Sequence, residues 1–492
     1  MKYTVRAVLA IAMLLGVYVL AAAVVGALAL GLYELVAHGF TGAALLKLGI
    51  ITLLVTVAIG RGLWAGLRHR DGEQPGVVLP EQDQPRLWGE VRHLAEQVGT
   101  RPPDEIRLVP DVNAAVSESS RWLGLVPGAR RMYVGVPLLT GLSLRQMRSV
   151  LAHELGHYSG RHTGLAGVTY RGQESLLRMI GHLGPDSWVG RIFKVYARLY
   201  IAVANTVNRR QELEADEFSA RLAGKGVAIS ALRELPAIDA AWSFFLHNYV
   251  GPGSEHRRRP HELFAGFHQF WTTPERQEQL DEVRAEPPAE TRSVYDSHPS
   301  TSERVAVLAA LDAPDEPDDS ESAIELLDDA PGTLRRLEEW MFADSPLTAV
   351  AWDDLVSTSL AERTHGNAAA LIGAMEAGGE SKGDLGQALQ ALRLGWATDL
   401  VAPLMPDDAT EEQRRSAAGQ LVGELVADAL IDSRRATYRL SWSDGGQLVD
   451  GEGNTLDPWS LASAAATTPS AVTALEVWCE AHEVPMSHRP TS

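Results

Sequence analysis

The first 60 residues of the chain are far more hydrophobic than the rest. Residues 7–33 contain no charged side chain, and about 20 apolar residues are enough for a helix to cross a bilayer. A second apolar stretch, residues 43–60, is interrupted only by Lys47, whose long side chain can reach the membrane interface. The pattern predicts a transmembrane helix hairpin within residues 1–70. The alternative for the first stretch is a cleaved signal peptide, whose apolar segment would be only about 7 to 15 residues long.

The charges that flank the two apolar stretches predict their orientation. Lys2 and Arg6 precede the first stretch, and Arg61, Arg68 and Arg70 follow the second, whereas the connecting loop carries little positive charge. Because basic flanking residues tend to stay on the cytoplasmic side, we expect both ends of the hairpin to face the cytoplasm. The sequence therefore predicts a multi-pass protein of the cell membrane whose remaining domains lie on the cytoplasmic side.

The pattern after residue 70 is that of a soluble domain. Residues 71–86 are polar and rich in turn-forming residues, which is typical of a linker. Apolar residues then recur at helical spacing from Leu87 to Val98, and Gly99 is a typical residue at the end of a helix. We therefore expect a folded domain to begin with this helix.

Two runs of β-forming residues precede the next helix. Residues 105–109 and 131–136 have the composition of strands, and the turn-forming stretch between them predicts a hairpin with the segment near Asn113. Ser143 and Gln146 have the spacing of a capping box. This spacing predicts that a helix begins directly after Ser143.

That helix carries the motif HELGH, with His153, Glu154 and His157. Residues four apart on a helix lie on the same face, so the two imidazoles can bind one metal ion. A catalytic zinc site has three protein ligands and one position for water, and Glu154 is placed to accept a proton as that water attacks a carbonyl carbon. H-E-x-x-H is a motif of zinc peptidases. The alternative is a chance match between histidines that serve only in packing.

A third ligand is expected further along the chain. Residues 209–226 continue a helical pattern, and Glu212 and Asp216 are four apart and so share a face. Glu212 can complete the ligand set, and Asp216 can accept a hydrogen bond from a ligating imidazole and fix its orientation. The alternative is a solvated acidic face shared with Glu214 and Glu217, and spacing alone does not distinguish the two.

Several motifs, in this order, resemble those of the HtpX and CAAX-prenyl-protease group of membrane-anchored gluzincin zinc metallopeptidases. The resemblance covers residues 80–311, and its motifs here are NAAV from Asn113, RMYVGVPLL from Arg131, HELGH from His153, E-x-x-A-D from Glu212 and HPSTSER from His298. It implies that Glu212 is the third ligand of a single zinc ion and that Asp216 supports the site. It also implies a polypeptide substrate.

The resemblance implies further roles near the active site. His298 and Arg304 of the last motif would approach it, where a donor can stabilise the oxyanion of the tetrahedral intermediate. The alternative for His298 is a turn residue before Pro299. The strand at 133–136 would be an edge strand that pairs with the extended backbone of a substrate.

Residues 187–208 depart from that resemblance, in which further membrane spans follow the zinc helix. Arg191, Lys194 and Arg198 recur there at intervals of three and four, which makes one cationic face on an otherwise apolar helix. Such a helix can lie on a membrane surface with anionic lipids, or pack within a domain on its apolar side. We interpret it as a domain helix.

Composition and charge narrow the function further. The 492-residue chain has a net charge of −19, of which residues 1–311 contribute +3 and residues 312–492 contribute −22. Its sequence has no basic patch with interleaved aromatic residues, so nucleic-acid binding is not expected. Cys479 is the single cysteine, so no internal disulfide can form, and any zinc site must consist mainly of histidines and carboxylates.

The acidic C-terminal part of the chain is predicted to form a separate domain. Residues 312–322 have the composition of a disordered linker, and helical patterns with one hairpin near Asp444 follow in residues 323–492. The predicted fold class is α+β and mainly helical. It combines the transmembrane hairpin, a zincin-type catalytic domain at 87–311 with a small edge sheet, and a mostly α-helical acidic C-terminal domain.

Together these patterns predict a membrane-anchored, zinc-dependent endopeptidase that hydrolyses peptide bonds of protein substrates. The expected site residues are His153, His157 and Glu212 for zinc and Glu154, Asp216 and His298 for catalysis. Polypeptides and the lipid bilayer are the expected partners. The alternative function is a non-catalytic membrane adaptor with a structural zinc site and a partner-binding acidic C-terminal domain.

Overall fold

The structure of the chain is a computed structural model that divides into two compact units. It describes residues 2–39, 42–67, 74–121, 126–159, 188–285, 299–315, 321–378 and 383–490. The first unit comprises Met1–Ala240 and Gln279–Ala343, and the second comprises Ala241–Glu278 and Asp344–Ser492. The functional domains drawn from the sequence, at 87–311 and 323–492, have other boundaries and stay a prediction.

Most of the described residues are helical and the sheets are small, which confirms the prediction of a mainly helical fold with small sheets. In chain order the α-helices are α1 Lys2–Ala37, α2 Ala43–Leu67, α3 Pro85–Val98, α4 Val136–Gly141, α5 Leu144–Gly156, α6 Trp188–Ala223, α7 Lys225–Phe245, α8 Gly251–Glu255, α9 Leu263–Thr272, α10 Pro274–Ala285, α11 Thr301–Ala309, α12 Ala330–Met341, α13 Trp352–Gly378, α14 Leu385–Arg393, α15 Ala397–Val401, α16 Glu411–Asp432, α17 Pro458–Thr467 and α18 Val472–Ala481. The strands are β1 Val77–Val78, β2 Glu105–Val109, β3 Ala114–Arg121, β4 Val126–Gly135, β5 Arg258–Pro260, β6 Thr348–Val350, β7 Ala436–Ser441 and β8 Gly445–Asp450.

The two apolar stretches at the N terminus lie in α1 and α2. Within α1, Leu15–Ala37 is the one helical stretch in the described part of the chain that is long and apolar enough to cross a membrane. Large side chains along it, such as Leu15, Val19 and Leu30, are exposed rather than packed. One apolar helix is therefore present, and the multi-pass topology and its orientation stay predictions.

The sheet of the first unit has the strand order β1-β2-β4-β3. β3 and β4 pair antiparallel, with Ala114 opposite Val134, which confirms the predicted hairpin. β2 pairs parallel with the other side of β4, with Glu105 opposite Arg131. The prediction that residues 133–136 form an edge strand is therefore wrong, because β4 has a partner strand on both sides.

The sheet and two helices enclose the core of the first unit. α3 ends at Gly99, which has a φ of 78° and the left-handed conformation of a helix cap, as the sequence predicted. The core residues of this region are Leu87, Val91 and Leu94 of α3, Ile106 and Leu108 of β2, Met132 and Val134 of β4, and Met147, Leu151 and Leu155 of α5. The helix α5, which carries HELGH, is thus held between a helix and the sheet.

Residues 188–223 form one continuous helix, α6, which joins two regions of the first unit. Its N-terminal half packs against α1 and α2 in an apolar cluster that contains Val17, Ala21, Ile59, Phe193, Ala197, Tyr200 and Ile201. Its C-terminal half packs against α5. The cation-bearing segment and the segment of Glu212, which the sequence suggested as separate features, therefore belong to the same helix.

Part of the acidic stretch after residue 311 is bonded to the first unit. The carbonyl of Pro314 accepts a hydrogen bond from Lys225 N at 2.7 Å, and the carboxylate of Asp315 accepts one from Gly226 N at 3.0 Å. The carbonyl of Glu321 accepts one from Leu144 N at 2.8 Å. Disorder is therefore the wrong expectation for Pro314, Asp315 and Glu321. Their oxygens accept hydrogen bonds from free N–H groups at the starts of α7 and α5.

The second unit is built around α16, in which every residue from Val422 to Leu430 is buried. Apolar residues of α13, α14, α15, α17, α18 and the β7–β8 hairpin surround it. The hairpin pairs Ala436 with Asp450, which confirms the prediction near Asp444. This unit also contains the buried thiol of Cys479.

Candidate metal centre

The helix that carries HELGH begins as its sequence requires. The Ser143 side chain accepts a hydrogen bond from Gln146 N at 3.1 Å, and the Gln146 side chain accepts one from Ser143 N at 2.9 Å, which is a complete capping box. The helix runs to Gly156, and His157 is its C-terminal cap. Both histidines therefore lie in the last turn, where the helix approaches α6.

Small residues allow α5 and α6 to approach each other closely. A Cβ atom built on Gly156 would lie 3.1 Å from Ala215 Cα, which is tighter than an ordinary contact. One helical turn or more away, the hydroxyls of Ser149 and Ser219 are 2.5 Å apart. This close approach brings the side chain of Glu212 to the imidazoles.

Glu212 lies between the two histidines. Its Oε2 atom is 3.5 Å from His153 Nε2, and its Oε1 atom is 3.5 Å from His157 Nε2. The two imidazole rings are nearly perpendicular, at 86°, with centroids 4.8 Å apart. Two ring nitrogens and one carboxylate, contributed by two helices, thus converge on one point.

This convergence fits zinc. Zinc–ligand distances of about 2.0 to 2.1 Å in a tetrahedron place neighbouring donor atoms about 3.3 Å apart, close to the 3.5 Å between Glu212 and each imidazole. Glu154 also offers a carboxylate oxygen within 4.8 Å of both imidazoles. We favour Glu212 as the third ligand because it is close to both rings and only 4% exposed, whereas Glu154 is more accessible.

Asp216 and Arg304 lie behind His153. Asp216 Oδ1 is 3.0 Å from His153 Nδ1. The guanidinium of Arg304 donates to both oxygens of Asp216, from Nε to Oδ2 at 2.9 Å and from Nη2 to Oδ1 at 2.6 Å. The Asp216 side chain is 3% exposed and that of Arg304 14% exposed. The carboxylate is therefore fixed in place between a cation and an imidazole.

These contacts shift the pKa values of two site residues. Burial lowers the pKa of His153, but its hydrogen bonds to Asp216 and Glu212 outweigh that effect and raise the pKa to about 9. Burial raises the pKa of Asp216, but the hydrogen bonds from Arg304 and His153 outweigh it and leave the pKa below its usual value. Without metal, a proton on His153 satisfies the two carboxylates that face it, so metal binding must displace that proton.

A second set of contacts fixes the chain directly after His157. The ring of Tyr158 lies against the guanidinium of Arg130, at 4.5 Å, and its hydroxyl donates to Val116 O of β3 at 2.8 Å. Its own carbonyl accepts a hydrogen bond from the Thr100 hydroxyl at 2.7 Å. The end of the metal-binding helix is therefore tied to β3, which among the described strands pairs only with β4.

Most residues of this site were predicted from the sequence. The structure brings His153, Glu154, His157, Glu212 and Asp216 together in one cluster, as the family resemblance implied. The expected residue His298 lies outside the described residues. Tyr158, Thr100 and Arg130 could not be predicted as parts of the site, because no local sequence pattern marks a residue whose partners are distant in the chain.

Comparison with known proteins agrees with this geometry. Residues 81–312 match peptidase family M48. The "Protease HtpX" of Thioalkalivibrio sulfidiphilus (strain HL-EbGR7) is 30% identical over 181 residues, which cover 32% of this chain and 59% of that protein. The "Protease HtpX" proteins of Shewanella baltica strains OS195 and OS223 are each 29% identical over 185 residues, covering 32% of this chain and 62% of theirs.

The similarity is confined to part of each protein. The chain spans about three fifths of the length of these curated relatives. No solved structure matches the chain. The match to peptidase family M48 covers residues 81–312, which contain the HELGH helix and Glu212, and the chain is similar to proteins named "Protease HtpX".

Proposed function

We propose that the chain is a membrane-anchored, zinc-dependent endopeptidase that hydrolyses peptide bonds of protein substrates. The observation that carries the proposal is the pair of 3.5 Å distances from the oxygens of one buried carboxylate, Glu212, to His153 Nε2 and His157 Nε2. This is a ligand set of two imidazoles and one carboxylate, as in known zinc peptidases. The match to a peptidase family supports it.

The residues that would hold the metal are His153, His157 and Glu212. Zinc bound there would act as a Lewis acid on the scissile carbonyl and lower the pKa of a water molecule. The protein keeps the ligands in position through the contact of α5 with α6.

Glu154 is the proposed general base. It follows His153 on α5, offers a carboxylate oxygen within 4.8 Å of both imidazoles and remains partly accessible. From this position it can take a proton from the attacking water and deliver it to the leaving amine. A carboxylate with that role must reach both the water and the substrate, which a fully buried residue cannot do.

Asp216 is the proposed positioning residue for His153, and His298 stays a candidate donor to the oxyanion. Asp216 accepts the Nδ1–H hydrogen bond of His153, so Nε2 is left to face the metal. Arg304 keeps the Asp216 carboxylate ionised and fixed, because it donates to both of its oxygens. The ring of His153 therefore cannot turn without breaking a buried ion pair.

Peptide binding is proposed at the outer edge of β3. Within the described sheet β3 has one partner strand, so its second edge can pair with an extended backbone. Tyr158 ties Val116 of this strand to the end of α5. A polypeptide lying along β3 would therefore pass next to the histidines.

The membrane anchor is proposed to be α1, together with α2. The apolar stretch Leu15–Ala37 is long enough to span a bilayer, and its large side chains are exposed. The positive flanking residues favour a location of the proposed catalytic unit and the acidic second unit on the cytoplasmic side.

The test is Glu154→Gln in the full-length chain. The variant should retain one zinc ion per chain by metal analysis but lose casein cleavage, because only the base is removed. Glu217→Gln is the matched control, since Glu217 is an exposed residue of α6 that pairs with Arg221. Unchanged proteolysis in Glu154→Gln refutes the mechanism, and unchanged cellular function with lost proteolysis favours the adaptor alternative.

A further inference from the structure

The N-terminal half of α6 has an outer face that the proposed catalysis does not use. One side of this half is buried against α1 and α2. On the opposite side, the apolar residues Ile192, Val195 and Leu199 are 38%, 55% and 58% exposed. Arg191 and Arg198 are exposed beside them. Exposed apolar side chains of this size, in three successive positions of one helix face, indicate a contact surface.

The charged and apolar residues of this face are separated. With 3.6 residues per turn, Arg191, Lys194 and Arg198 form a strip along one side of the face, and the apolar residues, from Ile192 to Leu199, form a strip along the other. An amphipathic helix at a membrane surface has this arrangement, with cations towards the headgroups and apolar side chains towards the acyl chains.

The contacts of Tyr196 show which part of α1 lies beside the outer face of α6. Its hydroxyl donates to the carbonyl of Met13, and it lies so close to Gly16 that a Cβ atom there would be 2.3 Å from the hydroxyl oxygen. Residues 7–33 of α1 are uncharged, and the segment long and apolar enough to cross a membrane begins at Leu15, so Tyr196 lies at the first turn of that candidate span. Tyrosine side chains are enriched at this level, the membrane interface.

The cations therefore lie near the headgroups. Lys194 and Arg198 are each two residues from Tyr196, or about 3 Å along the helix axis, and Arg191 is about 7.5 Å away. Lysine and arginine side chains are long enough to reach the interface over such distances. An acidic protein partner would match the charge of this face but not its apolar strip, whereas an anionic lipid matches both.

We propose that the outer face of α6 from Arg191 to Leu199 is a contact surface for anionic phospholipids of the leaflet that α1 enters. The proposal rests on the membrane anchoring proposed above. Phosphate and other anionic headgroup oxygens bind the three cations, and acyl chains cover the apolar strip. Each basic residue near an anionic leaflet strengthens such binding about fivefold.

The test is lipid photolabelling of the full-length chain in vesicles of phosphatidylcholine. The vesicles carry the same density of either photoactivatable phosphatidylglycerol or photoactivatable phosphatidylcholine, and labelled peptides are identified by mass spectrometry. We expect phosphatidylglycerol to label residues 191–199 at least about fivefold more than phosphatidylcholine does. The variant Arg191→Gln/Arg198→Gln should lose this preference. The matched control Arg221→Gln, an exposed cation near the other end of α6, should keep it.

Phosphatidylcholine labelling of the double variant at the wild-type level shows that the variant is inserted normally. Equal labelling by the two lipids in the wild type overturns the inference, as does an undiminished preference in the inserted double variant. Photolabelling does not require catalysis, so the Glu154→Gln chain should be labelled like the wild type. A chain that cleaves casein without a preference for anionic lipid refutes this inference and leaves the proposed function intact.

Discussion

The ion pair between Arg304 and Asp216 gives the sharpest test of how the site is held together. Both side chains are largely buried, at 14% and 3% exposure, and two hydrogen bonds of 2.9 and 2.6 Å join them. The perturbations are Arg304→Met, which leaves a buried carboxylate, Asp216→Asn, which leaves a buried guanidinium, and the double variant, which leaves neither charge. Chelator-treated protein is used so that zinc does not contribute.

The expected magnitudes follow from burial. Removing one partner of a buried pair costs about 3 to 5 kcal/mol, because the remaining charge is uncompensated, whereas replacing both partners is much less costly. Asp216→Asn should therefore lower the free energy of local opening by about 3 kcal/mol or more. Arg304→Met should lower it by less, because the protonated imidazole of His153 still faces Asp216 in the metal-free protein. The double variant should lose less than Asp216→Asn alone, so the coupling energy between Arg304 and Asp216 should exceed the loss seen in Arg304→Met.

Hydrogen exchange of the α6 amides measures the local opening, because it reports one part of the chain without requiring global unfolding. The control is Arg221→Met, which breaks an exposed pair with Glu217 on the same helix and should cost about 0.5 kcal/mol or less. If the losses of the two single variants simply add in the double variant, the pair is not coupled and Arg304 does not hold Asp216 in place.

Three further predictions follow from the packing around the site and in the second unit. Gly156→Ala should weaken zinc binding and lower the free energy of unfolding by about 1 to 3 kcal/mol. The added methyl would lie 3.1 Å from Ala215 Cα, tighter than an ordinary contact, so α6 would have to move slightly away. The control is Gly89→Ala, at a helical glycine with open space around it, which should leave stability unchanged or raise it. An equal loss of stability in the two variants would exclude a role for the contact between α5 and α6. Tyr158→Phe should raise KM for an extended peptide about fivefold with little change in kcat or zinc content. The reason is the loss of one hydrogen bond to Val116. A fall in zinc content without a change in KM would contradict this prediction. Cys479, whose pKa burial raises to about 12, should react with iodoacetamide at pH 8 far more slowly than in denaturant. Since the folded state favours the neutral thiol, its contribution to stability should decline as the pH rises above the usual thiol pKa towards 12, and rapid labelling of the folded chain would refute the burial.

The local features of the site could be predicted from the sequence because short-range rules decide them. The capping box at Ser143 sets the start of α5, and the spacing of four residues places His153 with His157 and Glu212 with Asp216. Each of these depends only on helix geometry. Neither spacing predicts that α5 and α6 meet. That contact was expected only from the order of motifs shared with a known family.

Long-range pairing explains what the sequence did not provide. β4 is rich in β-forming residues whether it lies at the edge or in the centre of a sheet, and its position depends on β2, which pairs from an earlier part of the chain. Arg304 is 88 residues from Asp216, and Tyr158 is 42 residues from Val116. No periodicity connects such residues, so only the fold brings them together.

The single helix α6 links the part of the chain proposed to lie at the membrane with the proposed metal ligand Glu212. Tyr196 contacts α1 at the start of its apolar stretch, and Glu212 follows 16 residues later on the same helix, about 24 Å along its axis. If α1 anchors the chain as proposed, the proposed metal site lies no more than about 24 Å from the level of the bilayer interface. An extended backbone advances about 3.4 Å per residue, so about seven residues of a membrane-anchored substrate are enough to reach the histidines. Because a single helix sets this distance, any change that bends or shifts α6 moves Glu212 and the reach of the site together.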